Sequence, residues 1–214
     1  KSDVFWVHEQ LLCRRSKFFE TALNGRWSES DDKIVKLPED DASILRLCLT
    51  LLYTGKTQLL TEITVGVATA AICALCLVYI QAEKLQDVRS RNQLIDEIHQ
   101  ITTDRGKFGD IELALPHFVA FFYKDLPESC PLRTLLVRLW ICAGIDIKVI
   151  DAGFIPLIPQ DFLVNLASAW SHSRANSRES TWVARDYYCP DTEPEKPKSE
   201  GTHGSEQRGR PRKS

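Results

Sequence analysis

The residues in this chain most able to do chemistry are five histidines, seven cysteines and a spread of carboxylates, and their spacing sets what they could do. His8, His99, His117, His172 and His203 do not fall into metal-ligand pairs. Cys73-Ala74-Leu75-Cys76 has the spacing of half a zinc site or of a redox pair. No second Cys/His pair lies nearby in sequence, and apolar neighbours would raise both thiol pKa values, so two core cysteines are the reading these residues favour. His8 and Cys13 stand five residues apart, a separation that diverges around a helix. Arg105-Gly106-Lys107-Phe108-Gly109 lacks the spacing of a phosphate loop, and there is no Gly-x-Ser-x-Gly elbow. The chain therefore reads as a non-enzyme, with no catalytic, metal or cofactor site expected.

One string carries a different chemistry. Arg208-Gly209-Arg210-Pro211-Arg212-Lys213 resembles the core of an AT-hook. Glycine would let the backbone sit on the floor of the narrow, electronegative minor groove of A·T-rich DNA, with Arg208 and Arg210 reaching inward and Pro211 keeping the chain extended. The string occurs once and Glu206 flanks it, so a nuclear-import signal or a solvated basic tail stand beside DNA binding as readings.

The elements that would position these groups follow from hydrophobic pattern. Val4 and Trp6 alternate with Phe5 and Val7, the period of a strand covered on both faces. A helix should follow, with Leu12, Phe19 and Leu23 beside Leu11, Phe18 and Ala22 on one stripe, closed by Asn24-Gly25. Ile34-Val35-Lys36-Leu37 is a short strand-like run stopped by Pro38. Asp40 or Asp41 can cap a second helix that turns Ile44, Leu45, Cys48, Leu51 and Leu52 inward and stops at Gly55.

Residues 63–80 are the most apolar window, open to two readings, a buried helix and a membrane span. Small residues such as Ala68, Ala70, Ala71 and Ala74, and the direct run into Gln81-Ala82-Glu83-Lys84, favour the buried helix, so no membrane is expected as a partner. Leu94, Ile95, Ile98 and Ile101 mark one more amphipathic helix before a polar connection over 102–109. Three further helices are expected from Pro116, from Ser129 and Pro131, and from Pro159-Gln160-Asp161. From Ser171 onward periodicity stops, the composition of a disordered tail, interrupted by Trp182-Val183 and Tyr187-Tyr188, which could dock weakly.

Composition bounds the setting. A chain of 214 residues with 43% hydrophobic content can hold one good-sized domain plus a tail, or two small ones. An odd number of cysteines at irregular spacing, with no secretory signal at the start, leads to the expectation of free thiols in a reducing, intracellular setting, nucleus or cytoplasm. From Ser171 the tail carries nine basic and seven acidic residues, which leaves the preceding body at −4 within a whole-chain charge of −2. That acidic body argues against a broad nucleic-acid surface.

Order and spacing together carry a resemblance. Phe5-x-Val7-His8-x-x-Leu11-Leu12, Arg15-Ser16-x-Phe18-Phe19, Ala22-Leu23-Asn24-Gly25-x-Trp27, Leu37-Pro38-Glu39-Asp40-Asp41 and Leu51-Leu52-Tyr53-Thr54-Gly55 resemble a BTB/POZ domain of the type abundant in filamentous fungi. Tyr79-Ile80-Gln81-Ala82-Glu83-Lys84-Leu85-Gln86 and Arg91-Asn92-Gln93-Leu94-Ile95-Asp96 extend the likeness. The resemblance implies an α+β, helix-dominated fold in which a helical cluster is flanked by a short sheet. It implies a domain over residues 1–101, a C-terminal helical extension over 110–170 and a tail over 171–214. The signature positions are Phe5, Val7, His8, Leu11, Leu12, Ser16, Phe18, Phe19, Leu37, Pro38, Tyr53, Thr54 and Gly55.

The implied function is protein–protein interaction by self-association, by pairing with other BTB proteins or by recruiting another partner. Ser2-Asp3-Val4 abuts Phe5 directly, so the family's first strand is expected to be truncated or fused here, which bears on the homodimer formed through it. Leu60-Thr61-Glu62 fits the hydrophobic-x-Glu element that some members use towards a cullin, although it comes early. The alternatives are a chromatin-associated regulator acting through Arg208, Gly209, Arg210 and Pro211, and a cullin-ligase adaptor.

Overall fold

The computed structural model describes residues 3–25, 31–59, 68–104, 116–124, 126–142, 156, 158–175 and 183–190. These are dominated by helices: α1 (Glu9–Arg15), α2 (Lys17–Asn24), α3 (Ala42–Thr54), α4 (Ala68–Lys84), α5 (Val88–Thr103), α6 (Pro116–Lys124), α7 (Pro131–Cys142) and α8 (Gln160–Ala175), with a 3₁₀ turn at Ala184–Tyr187.

The first apolar stripe is cut in two where one helix was expected. Ser16 is extended (φ −123°, ψ 117°), ending α1 and capping α2 at once. Its hydroxyl accepts the Phe19 N–H at 3.2 Å and donates to the Leu85 carbonyl. A serine offering these bonds satisfies a free helical N–H, and its tie to the α4 end fixes the break in space.

Punctuation elsewhere follows side-chain chemistry. Asp41, not Asp40, caps α3, its Oδ1 accepting from Ser43 N at 2.7 Å and Ile44 N at 3.1 Å. Asp40 instead pairs with Lys84 at 2.7 Å. Gly55 ends α3 in the left-handed region at φ 76°, returning its N–H to Leu51 O at 2.8 Å. Beyond it, the buried Glu97 carboxylate of α5 takes the Thr57 N–H at 2.9 Å and the Thr57 hydroxyl, so the chain leaving α3 is pinned to α5.

The expected short sheet is absent among the described residues. Residues 3–8 and 33–37 form no ladder, and Lys33, at φ 55°, turns out of the extended region. Val4 (72% exposed), Trp6 (94%) and Ile34 (59%) show why: the alternation is present, but no second strand or facing layer covers it.

Two apolar clusters hold the helices. The smaller joins Leu12, Phe19, Leu23 and Leu52 with Leu85. The larger runs from Cys48 and Leu51 through α4 and α5 to α7 and α8, so the later helices pack into the same core as the earlier ones. Trp140, Tyr79, Tyr123 and Phe162 are its largest fully buried side chains, and the Phe162 ring meets Tyr123 and Trp140 edge-on at 5.2 Å each. Arg133 closes one end, its guanidinium 4.2 Å over the Tyr123 ring and 2.8 Å from Asp161. Helix α4, the described part of the 63–80 window, is a core helix with Ile72, Leu75, Cys76, Val78 and Tyr79 fully buried. Among the described residues no helix is long and apolar enough to cross a membrane.

The tail departs from its expected disorder in two places. Ser171 lies within α8, and residues 183–190 dock on the larger core with Ala184 and Cys189 buried.

Candidate functional site

The signature residues converge on the lobe made by α1, α2 and α3. His8 precedes α1 in extended conformation, and its carbonyl accepts from Leu11 N and Leu12 N at 3.1 Å each. Its own N–H donates to the Tyr53 hydroxyl at 3.0 Å, and Nδ1 lies 2.8 Å from the same oxygen. The rings meet edge-on at 5.8 Å. His8 thus has a positioning role: it joins the start of α1 to the end of α3.

Around this pair, Arg46 lies 5.4 Å over the Phe5 ring. Val7, Leu11, Phe18 and Leu37 are half-buried against the smaller cluster, whereas Leu12, Ser16 and Phe19 are buried and Pro38 is exposed. Thr54 Oγ1 lies 2.8 Å from the Thr50 carbonyl and 2.7 Å from that of Lys56, bracing the turn at Gly55. The signature is mostly architecture. What it leaves facing outward is Trp6 and the Tyr53 ring, with Val4 and Ile34 also exposed.

The structure adds a polar junction that the residue pattern did not disclose. Arg15 of α1 reaches Asp87, Nη2 to Oδ2 at 3.2 Å, with 11% and 6% of the two side chains exposed. The same Nη2 donates to Ser90 Oγ at 3.0 Å and to Gln93 Oε1 at 3.5 Å. Asp87 also caps α5, accepting from Ser90 N at 3.0 Å and from Ser90 Oγ at 2.6 Å. The available sequence signal was an aspartate placed three residues before Ser90 at the head of an apolar-periodic run.

The candidate nucleophiles are structural thiols. Cys13 Sγ points to the Phe19 carbonyl at 3.8 Å, and burial, followed by Glu9, pushes its pKa up. Burial likewise raises Cys73 and Cys76, and takes Cys48 to about 12. Among the described residues no group of His, Cys, Asp and Glu could hold a metal ion. The cullin-type element Leu60-Thr61-Glu62 and the basic string Arg208, Gly209, Arg210 and Pro211 lie outside the described residues.

No curated protein and no solved structure matches the chain. Residues 1–87 match the family model of the BTB/POZ domain, a span that ends at the Asp87 cap of α5 and takes in the His8–Tyr53 pair and the Arg15–Asp87 junction. The chain therefore carries a BTB/POZ domain over residues 1–87, a domain of protein–protein interaction.

Proposed function

We propose that this chain is a protein-interaction module that self-associates through the outer face of its BTB lobe. The observation that carries this reading is Trp6, 94% exposed on the segment that leads into α1 and meets α3 through Phe5 and Arg46, with Val4 72% exposed two residues before it. An apolar, strand-like segment with no ladder partner has both backbone groups and side chains to offer a second chain. The helices beyond residue 87 form an extension that shares the core and presents the lobe. Light scattering of the purified chain across a concentration series tests it. A dimer that Trp6→Asp shifts to monomer, with helical content kept, is the expected result; a monomer at every concentration overturns it.

A second reading rests on Arg208-Gly209-Arg210-Pro211, through which such an assembly would place several weak hooks on A·T-rich DNA. Binding to an A·T-rich duplex should weaken with salt and drop when Arg208 and Arg210 are replaced by alanine. Binding that both replacements leave unchanged rules the hook out.

A further inference from the structure

The segment at residues 183–190 is held in the manner of a bound peptide. The Asn92 carboxamide of α5 reads its backbone in both directions: Oδ1 accepts the Cys189 N–H at 2.8 Å and Nδ2 donates to the Cys189 carbonyl at 3.2 Å. From Tyr188 (φ −71°, ψ 142°) the backbone is extended, and the Tyr188 hydroxyl donates to Asp96 one turn along α5. Cys189, 4% exposed, is buried against Tyr79 of α4, whose hydroxyl is 3.3 Å from its Sγ and 3.9 Å from the Sγ of Cys130, at the head of α7. Ala184, also buried, is the second anchor.

Backbone hydrogen bonds that any residue could make, combined with the burial of alternate small side chains, are the two components of extended-peptide recognition. The two buried anchors, Ala184 and Cys189, are small, and Tyr187 and Tyr188 pack against the core only partly buried, so the segment has less apolar area under cover than a core helix, and such regions open before the whole fold does. We infer that the face formed by α4, α5 and the start of α7 is a peptide-binding groove, filled in the resting chain by its own residues 183–190. Its external ligand is an extended peptide with a tyrosine immediately before a small side chain, which competes with the internal segment. This surface is separate from the one assigned to self-association, and neither requires the other.

Cys189 reports on the groove directly, because its thiol is covered only while the segment is docked. N-ethylmaleimide labelling of the intact chain under native conditions, followed residue by residue by mass spectrometry, compares it with Cys76, which is fully buried in the same core. Cys189 should label at least about tenfold faster than Cys76. Adding the peptide of residues 183–190 carrying Cys189→Ser should raise the Cys189 rate saturably and leave Cys76 unmoved. Asn92→Ala should raise the Cys189 rate by about tenfold, the effect of two lost hydrogen bonds of modest net strength, again without Cys76. Should Asn92→Ala disturb the fold, Tyr188→Phe removes only the bond to Asp96 and should move Cys189 the same way by a smaller factor. Equal rates for Cys189 and Cys76, or a Cys189 rate that ignores the peptide, overturn the inference.

Discussion

The Tyr53 hydroxyl receives the His8 backbone N–H and stands 2.8 Å from His8 Nδ1, bridging two residues 45 apart in sequence. One phenol thereby fixes where the chain enters α1 relative to where α3 ends. Tyr53→Phe keeps the ring and removes the bridge. Both partners are exposed, so water replaces the lost bonds and the expected cost is about 1 kcal/mol, read as a lower urea midpoint with an unchanged slope. His8→Gln should recover part of the side-chain contact, because its amide can still accept from the hydroxyl.

Asp87 carries a heavier load. It caps α5 and also neutralises Arg15, whose side chain is 11% exposed. Asp87→Ala removes the cap and leaves a cation under cover, and about 3 kcal/mol of destabilisation is expected. Asp87→Asn retains a capping oxygen and should cost less than the alanine variant. The double variant Asp87→Ala with Arg15→Met should recover stability relative to Asp87→Ala alone, since no unpaired charge remains. Urea midpoints of the parent and these three variants check all three statements.

Local chemistry was legible along the sequence, and pairing between distant segments was not. The stop at Gly55, a cap at Asp40 or Asp41, the inward face of α3 and the buried character of α4 all follow from spacing that a helix imposes on its own residues. The break at Ser16 was hidden because Leu11, Leu12, Phe18 and Phe19 keep helical spacing across it, and the partner that fixes the break, the Leu85 carbonyl, lies 69 residues away. Residues 3–8 show the opposite failure. Their alternation is real, but a strand is defined by its neighbour, and alternation cannot report whether one is present. The docked tail was partly foreshadowed by Tyr187-Tyr188, whereas the Asn92 clamp on Cys189 had no local signal.

Gln86 joins α4 to α5 with φ 55°, where side chains rarely sit. The turn needs that conformation: Asp87 N donates to Ala82 O and Gln86 N to Glu83 O, both at 2.9 Å, the paired bonds of a Schellman C-cap. Glycine takes this region without strain, so Gln86→Gly should stabilise the fold by about 0.5–1 kcal/mol after its greater unfolded-state freedom is set against the relief. A higher urea midpoint checks it. Gln86→Val, which is β-branched, should move the midpoint down.

Asp41 gives the acid response a sign. Backbone N–H bonds from Ile44 and Ser43 hold its carboxyl below the ordinary range in the folded chain. The folded pKa is thus depressed relative to the unfolded one, so the stabilisation is fully present above about pH 4 and is lost as pH falls through the folded value. Asp41→Asn keeps an oxygen on the same two N–H groups and has no proton to take up. Its urea midpoint should therefore depend less on pH below about 4 than that of the parent. Asp41→Ala should lie below both at neutral pH and match the flatter acid slope of the asparagine variant. An acid limb that is identical in all three proteins would show that the cap carboxylate is not stabilised in the folded state.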